Sequence, residues 1–261
     1  MVDKIKLDRF YISTPVKKEH KFRYDKKNKK RPSWIQVEDV PKGTNWIKIV
    51  KNGEAFWYRI YFQNYFFAVK NTPQDYENYY DEISSIYEEL VGPQTPKMGK
   101  KILNILQKNG INKKTEILEL CSGTGNISEI LAKNGYNKIN LVDISSKELA
   151  IAKKKEILSK CKFTKADITN FKPNKKYDVI INSMGLDYFE EEQMKKIFKM
   201  ISNSLTPKGI FISITLHEHP EYTYYLDKIE GKSFMIQTLD AGKYRFEYFV
   251  GKRKNARALK K

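Results

Sequence analysis

The sequence predicts an α/β protein: a doubly wound, seven-stranded, mostly parallel sheet ending in an antiparallel C-terminal hairpin and preceded by an N-terminal β/helical extension. Three observations carry this reading. Short apolar runs alternate with helical spacing between residues 116 and 215, and the first run breaks into the turn Gly123-Thr124-Gly125. Near the C-terminus, two further strand-like runs are joined by Asp240-Ala241-Gly242 with no helix between them.

Residues 1–32 form a basic arm, K-K-E-H-K-F-R-Y-D-K-K-N-K-K-R at its centre, too charged to bury a face and expected to be flexible. Residues 33–72 read as a small β-rich segment. Its T-N-W-I-K-I-V and F-W-Y-R-I-Y-F flank Asn52-Gly53, a turn pair tolerant of positive φ. A helical region of 73–110 follows. One helix is expected over 75–90, with Tyr76, Ile83, Tyr87 and Leu90 on one face, and a second over 96–108 with Met98, Ile102, Ile105 and Leu106 inward. The catalytic domain is expected at 111–251 and a basic tail at 252–261.

Within that domain the expected strands are 116–120, 138–143, 162–166, 177–182 and 209–215, with the hairpin at 233–239 and 244–250. Helices are expected at 126–134, 146–159 and 190–205. Ser145 followed by Glu148 fits a capping box, and Glu190, Glu191 and Glu192 suit the positive end of their helix.

Composition narrows the function classes. Of 49 basic residues only seven are Arg, and the formal net charge is +18. The excess sits in residues 1–70 and 251–261, whereas the stretch between is nearly balanced. Lysine bias of this kind, with abundant Ile, Asn and Tyr, fits an AT-rich coding sequence and by itself names no partner. The arm, with Phe22, Tyr24, Trp34, Trp46 and Trp57 among its charges and in the following segment, keeps nucleic-acid binding open. The longest apolar runs fall far short of a membrane span, and no secretory leader opens the chain, so the expected setting is cytoplasmic. Cys121 and Cys161 are expected reduced, and the three histidines offer no familiar metal spacing.

A strand that ends in Gly-x-Gly and opens a helix lets the backbone approach a ligand where N–H groups are unpaired. Asp143 lies 20 residues beyond Gly123 at the tip of the second strand, where a carboxylate can accept both hydroxyls of a ribose. Asp167 follows the third strand. Acids also follow strands merely to cap helices, but three at three successive strand ends, Glu119, Asp143 and Asp167, share one crevice. Gly123-x-Gly125-x-x-Ser128 nearly matches a dinucleotide fingerprint. Glu119, two residues before the turn, and the terminal hairpin favour a ligand with a cationic amino group and no pyrophosphate.

With these residues in view, the chain resembles class I S-adenosylmethionine-dependent methyltransferases over roughly 75–250. E-L-C-S-G-T-G, L-V-D-I-S, K-A-D-I, Y-D-V-I-I-N-S-M-G and L-T-P-K-G occur in that family's order. The resemblance implies S-adenosylmethionine as cofactor, with Glu119 near its amino group and Cys121, Ser122, Gly123, Thr124 and Gly125 along the methionine and ribose. It implies Asp143 at the ribose hydroxyls, Ile144 over the adenine, Asp167 and Ile168 at its edge, and Asn182 beside the cofactor. Tyr80 and Tyr87 would close over it, as in the small-molecule, quinone-biosynthesis-like group. Two departures stand out: Cys121 where the family's motif usually begins with Gly, and Pro207-Lys208-Gly209 for Pro-Gly-Gly. His217 is the candidate general base, and Asp187 and Tyr188 could line an acceptor pocket. The acceptor is expected to be a small molecule. RNA or protein methylation steered by the arm is the alternative, and a non-enzymatic binding protein on the same fold comes third.

Overall fold

Parallel strands need crossover helices, and a sheet covered on both faces needs apolar residues at successive positions of each strand. Both conditions are met in the computed structural model. It describes residues 7–12, 22–24, 34–37, 44–51, 54–62, 65–68, 73–85, 87–88, 94–186, 189, 191–215, 220–237 and 243–254.

The chain divides into two units, Met1–Glu82 and Ile83–Lys261. The first contains strands β1 (Leu7–Ile12), β2 (Phe22–Tyr24), β3 (Trp34–Val37), β4 (Thr44–Lys51), β5 (Glu54–Phe62) and β6 (Tyr65–Ala68). They form one antiparallel sheet in the order β1-β4-β5-β6-β3-β2. The expected hairpin is the β4–β5 pair, with Lys51 opposite Glu54. Helix α1 (Pro73–Ile83) follows.

The helix expected over 75–90 stops at Ile83, and Ser84 and Ser85 make a turn. Serine hydroxyls compete with the helical ladder for backbone partners, which weakens a continuous helix at such a pair.

The second unit holds α2 (Thr95–Lys108), β7 (Ile117–Leu120), α3 (Asn126–Lys133), β8 (Ile139–Asp143), α4 (Ser146–Lys154), β9 (Lys162–Lys165), β10 (Tyr177–Ser183), α5 (Glu191–Ser204), β11 (Leu205–Thr215), β12 (Leu226–Gln237) and β13 (Lys243–Arg253). The sheet order is β12-β13-β11-β10-β7-β8-β9. Strands β9, β8, β7, β10 and β11 are mutually parallel, and β13 runs against both β11 and β12. This is the predicted doubly wound sheet with its antiparallel C-terminal strands. The order reverses at β7/β10, the place where open α/β sheets leave a crevice beyond the strands' carboxyl ends.

Period-2 alternation divides the core between the two faces. Ile117, Val179, Ile181, Ile210 and Ile212 pack in one cluster with Met98, Ile102, Leu106 and Leu131. Leu118, Leu120, Val142, Ile180 and Phe211 pack in the other with Met194, Ile197 and Phe198 of α5. Each such fully buried side chain stabilises by about 1.5–3 kcal/mol.

Several boundaries depart from expectation. Strand β12 begins at Leu226, seven residues before the expected 233, because its pairing with β13 runs on to Leu226 opposite Arg253. The fifth parallel strand begins at Leu205, four residues early, because Leu205 pairs with Tyr177 and the next registered pair is Val179 with Ile210. The segment Thr206-Pro207-Lys208-Gly209 is therefore a bulge in the strand, with the Thr206 hydroxyl donating to Asp178 Oδ1 at 3.0 Å. Helix α4 ends at Lys154 instead of 159; Lys155 is extended (φ −76°, ψ 109°) and a 3₁₀ turn, Glu156–Leu158, carries Leu158 into the core.

Candidate active site

Alternation places Glu119 on the α3 side of the sheet, between residues that are fully buried. The Ser128 hydroxyl on α3 donates to Glu119 Oε2. Burial pushes the Glu119 carboxyl up to about 7, with Asp143's charge adding to the rise and the Ser128 hydrogen bonds opposing it. A carboxyl titrating near neutrality sits at the edge where the turn begins.

The turn itself is left-handed at three of its five residues: Cys121 (φ 54°), Gly123 (φ 53°) and Gly125 (φ 75°). Gly125 caps α3, and a β-carbon there would lie 3.0 Å from Leu141 and from Leu158 as well as 3.1 Å from Ala152. Close helix–strand packing thus fixes this glycine. Cys121 takes the left-handed conformation without glycine's freedom, which costs about 1–2 kcal/mol. A glycine here would adopt the same conformation at no steric cost. Burial raises the Cys121 thiol well above the usual range, Asp143's charge adds to this, and an Asn182 side-chain hydrogen bond opposes it.

Asp143 reaches back to the turn. Its Oδ2 accepts the Gly123 N–H at 2.8 Å and its Oδ1 accepts the Ser145 N–H at 2.8 Å. The capping box is accordingly one-sided: Ser145 Oγ accepts the Glu148 N–H at 3.1 Å, while the Ser145 N–H goes to Asp143. Asn182 donates to Leu120 O at 3.0 Å and accepts the Gly185 N–H at 3.2 Å, tying β7 to the turn after β10. Asp167 accepts the Thr169 N–H (2.9 Å), the Thr169 hydroxyl (2.6 Å) and the Asn170 amide (3.0 Å), so its carboxylate organises the turn that follows it. Ile168 is buried behind it and Ile144 is half-buried.

The parallel register brings the ends of β7, β8, β9 and β10 to one edge, and with them Glu119, residues 121–125, Asp143, Ile144, Asp167, Ile168 and Asn182. Tyr87 joins them: its ring Cε1 lies 3.4 Å from the point a β-carbon on Gly123 would occupy. Tyr80 is half-buried on α1, whose residues to Glu82 belong to the first unit. His217, Asp187 and Tyr188 lie outside the described residues, as do His219 and Glu190.

Several site residues escaped the motif reading. Ser128 was legible only as a small packing residue, yet it holds Glu119. Glu148, buried, brings Oε2 to 3.2 Å from the Gly123 β-carbon position. Met184 is left-handed (φ 65°), and Gly185 packs so tightly that its β-carbon would fall 2.4 Å from Cys121 Cβ. No sequence periodicity marks such backbone approaches.

The residues present fit a ligand of mixed polarity. Ser122 Oγ and Thr124 Oγ1 are buried with no hydrogen-bond partner among the described residues. Buried hydroxyls without partners are costly, so two in one glycine turn at a helix N-terminus mark a place built for a ligand's polar atoms.

A seven-stranded sheet of this order, with an acid-flanked glycine turn at its switch point, defines the class I S-adenosylmethionine-dependent methyltransferase fold. Residues 117–209 match the family model described as a methyltransferase domain. It is 30% identical over 107 residues to the malonyl-[acyl-carrier protein] O-methyltransferase of Priestia megaterium, a match covering 40% of this chain and 39% of that protein. The chain thus matches about two fifths of that curated relative's length. Among solved structures, magnesium protoporphyrin IX methyltransferase (ChlM) from Synechocystis PCC 6803 with bound SAM shares the fold at TM-score 0.59 and 15% identity, covering 72% of this chain and 99% of that one. The DhpI–SAH complex does so at TM-score 0.53 and 15% identity, covering 71% and 98%. Among the described residues no helix is long and apolar enough to cross a membrane.

Proposed function

We propose that this chain transfers a methyl group from S-adenosylmethionine to a small-molecule acceptor. One observation carries the proposal: Ser122 and Thr124 hold buried, unpartnered hydroxyls in a left-handed turn bracketed by Glu119 and Asp143, within a methyltransferase domain. In this reading Glu119 faces the cofactor's cationic amino group. Residues 121–125 line its methionine and ribose, Asp143 the ribose hydroxyls, Ile144 one face of the adenine, Asp167 and Ile168 its edge, and Asn182 the adjoining wall.

The cofactor, when bound, supplies a methyl group already activated on a sulfonium. What remains for the protein is alignment and exclusion of water, and positioning of this kind can supply up to about 7–11 kcal/mol. Glu119 contributes a carboxylate whose ionisation the cationic ligand favours, the Gly123–Asp143 bond fixes the turn, and Tyr87 shields it. His217 stays the candidate base for an acceptor that must lose a proton.

Support for a small acceptor comes from relatives whose names specify malonyl-[acyl-carrier protein] and magnesium protoporphyrin IX. The RNA or protein alternative rests on the basic arm, and no named relative lends it weight. A cytoplasmic setting is part of the same reading, in keeping with two unpaired cysteines. The test is incubation of the protein and labelled S-adenosylmethionine with cell extract, followed by fractionation. Label in metabolites, or in protein but released from it by thioester cleavage, with or without residues 1–32, supports the reading; label confined to RNA or to protein side chains sinks it.

A further inference from the structure

Lys155 is the extended residue that breaks α4 from its 3₁₀ turn, and its ammonium meets three partners from two other segments. It lies 2.6 Å from Glu88 Oε1, 3.0 Å from Glu129 Oε2 and 2.5 Å from Asn126 Oδ1. Asn126 and Glu129 form the first turn of α3, directly after Gly125. Glu88 adjoins Tyr87, whose ring lies against Gly123.

We propose that Lys155 is a positioning residue for the cofactor turn, holding Tyr87 against Gly123 through Glu88 while fixing the start of α3 through Asn126 and Glu129. The inference rests on the cofactor reading above.

The two arms of this contact differ in strength. Lys155 and Glu129 are 16% and 26% exposed, whereas Glu88 is 48% exposed. The α3 arm is shielded and anchors the lysine on Glu129, whose other oxygen pairs with Lys133 at 2.5 Å. The Glu88 arm is a surface ion pair, worth little by itself and screened by salt. That asymmetry suits a contact which must release Tyr87 when cofactor enters or product leaves. A lysine serving only to tie α4 to α3 would need Asn126 and Glu129 but not Glu88.

The test is calorimetric binding of S-adenosylhomocysteine to the full chain at about 20 mM and about 500 mM salt, where the screening length falls several-fold. Glu88→Gln removes the exposed arm and leaves Lys155 its other partners. The expected result is affinity about five-fold weaker than wild type at low salt, a gap that closes at high salt, and an unchanged melting temperature. Lys155→Arg, which keeps the charge, is expected to bind within about two-fold of wild type. Lys155→Met is expected to lose affinity and melt earlier, and the Glu88 variant decides the question if it does not fold. Equal binding by wild type and Glu88→Gln at both salts overturns the proposal and leaves the cofactor reading intact. No binding by wild type at all removes the cofactor reading, and the proposal with it.

Discussion

The Gly123 N–H donates to Asp143 Oδ2 at 2.8 Å across 20 residues of chain, so the acid at the second strand's tip shapes the turn after the first. The other oxygen of Asp143 takes the Ser145 N–H, and the side chain is buried. Asp143→Ala leaves two N–H groups without their acceptor, at about 1–3 kcal/mol each where no water reaches. We expect urea denaturation to show a loss of about 2–4 kcal/mol and S-adenosylhomocysteine affinity to fall more than about ten-fold. Asp143→Asn, which keeps one acceptor oxygen, should lose roughly half as much stability. An Asp143→Ala protein as stable as wild type would contradict this account of the turn.

Glu119 gives a pH dependence whose sign can be stated. Its folded carboxyl titrates at about 7 against an ordinary 4.5, so the native state binds the extra proton in that window. Stability therefore falls as pH rises from 4.5 to 7 and levels off above, by at most about 3 kcal/mol. A cationic ligand acts in the opposite direction, since it prefers the ionised form. S-adenosylmethionine binding should tighten between pH 6 and 8, and Glu119→Gln should flatten both trends. Matching pH profiles of wild type and variant, in melting and in calorimetry, would remove Glu119 from the site.

The sheet was legible because parallel strands buried on both faces read as apolar runs, and Ile117, Leu118 and Leu120 are such a run. The turn was legible because Gly123 and Gly125 occupy backbone conformations that favour glycine. What motif and period could not show was contact across the chain. Ser84-Ser85 interrupts a helix whose apolar spacing runs on unbroken, and Pro207-Lys208-Gly209 bulges inside a strand where the residues suggest a turn before it. Asp167 has the spacing of a ligand-binding acid and is engaged with its own turn at Thr169 and Asn170. Cys121 stands where the resembled family's motif usually has glycine, and nothing in the sequence shows that it adopts glycine's φ.

Thr124 separates a ligand contact from a structural hydroxyl. Its Oγ1 is buried without a partner among the described residues. Thr124→Val keeps the shape and removes the oxygen, so the free protein should gain about 1 kcal/mol. Cofactor affinity should move the other way, weakening about three- to ten-fold as a hydrogen bond is lost. Thermal melts without ligand and calorimetry with it give the two signs. A variant less stable when free, or one that binds as well as wild type, would show that the hydroxyl has another role.

Gly185 and Cys121 should be coupled. A β-carbon on Gly185 would sit 2.4 Å from Cys121 Cβ and 2.6 Å from its Sγ, with Asn182 Nδ2 at 2.8 Å. Gly185→Ala therefore forces the turn after β10 away from the 121–125 turn, an overpacking cost of about 1–3 kcal/mol. Cys121→Gly alone exchanges relief of left-handed strain against added freedom in the unfolded chain, each about 1 kcal/mol, and should shift stability little. In the double variant the two closest atoms are gone and the next, the Asn182 amide at 2.8 Å, has to shift against its hydrogen bond to Leu120 O. The cycle should show a favourable interaction energy of about 1 kcal/mol or more, beyond the few tenths expected of independent sites. Simple additivity of the two substitutions would mean that the two turns do not press on one another.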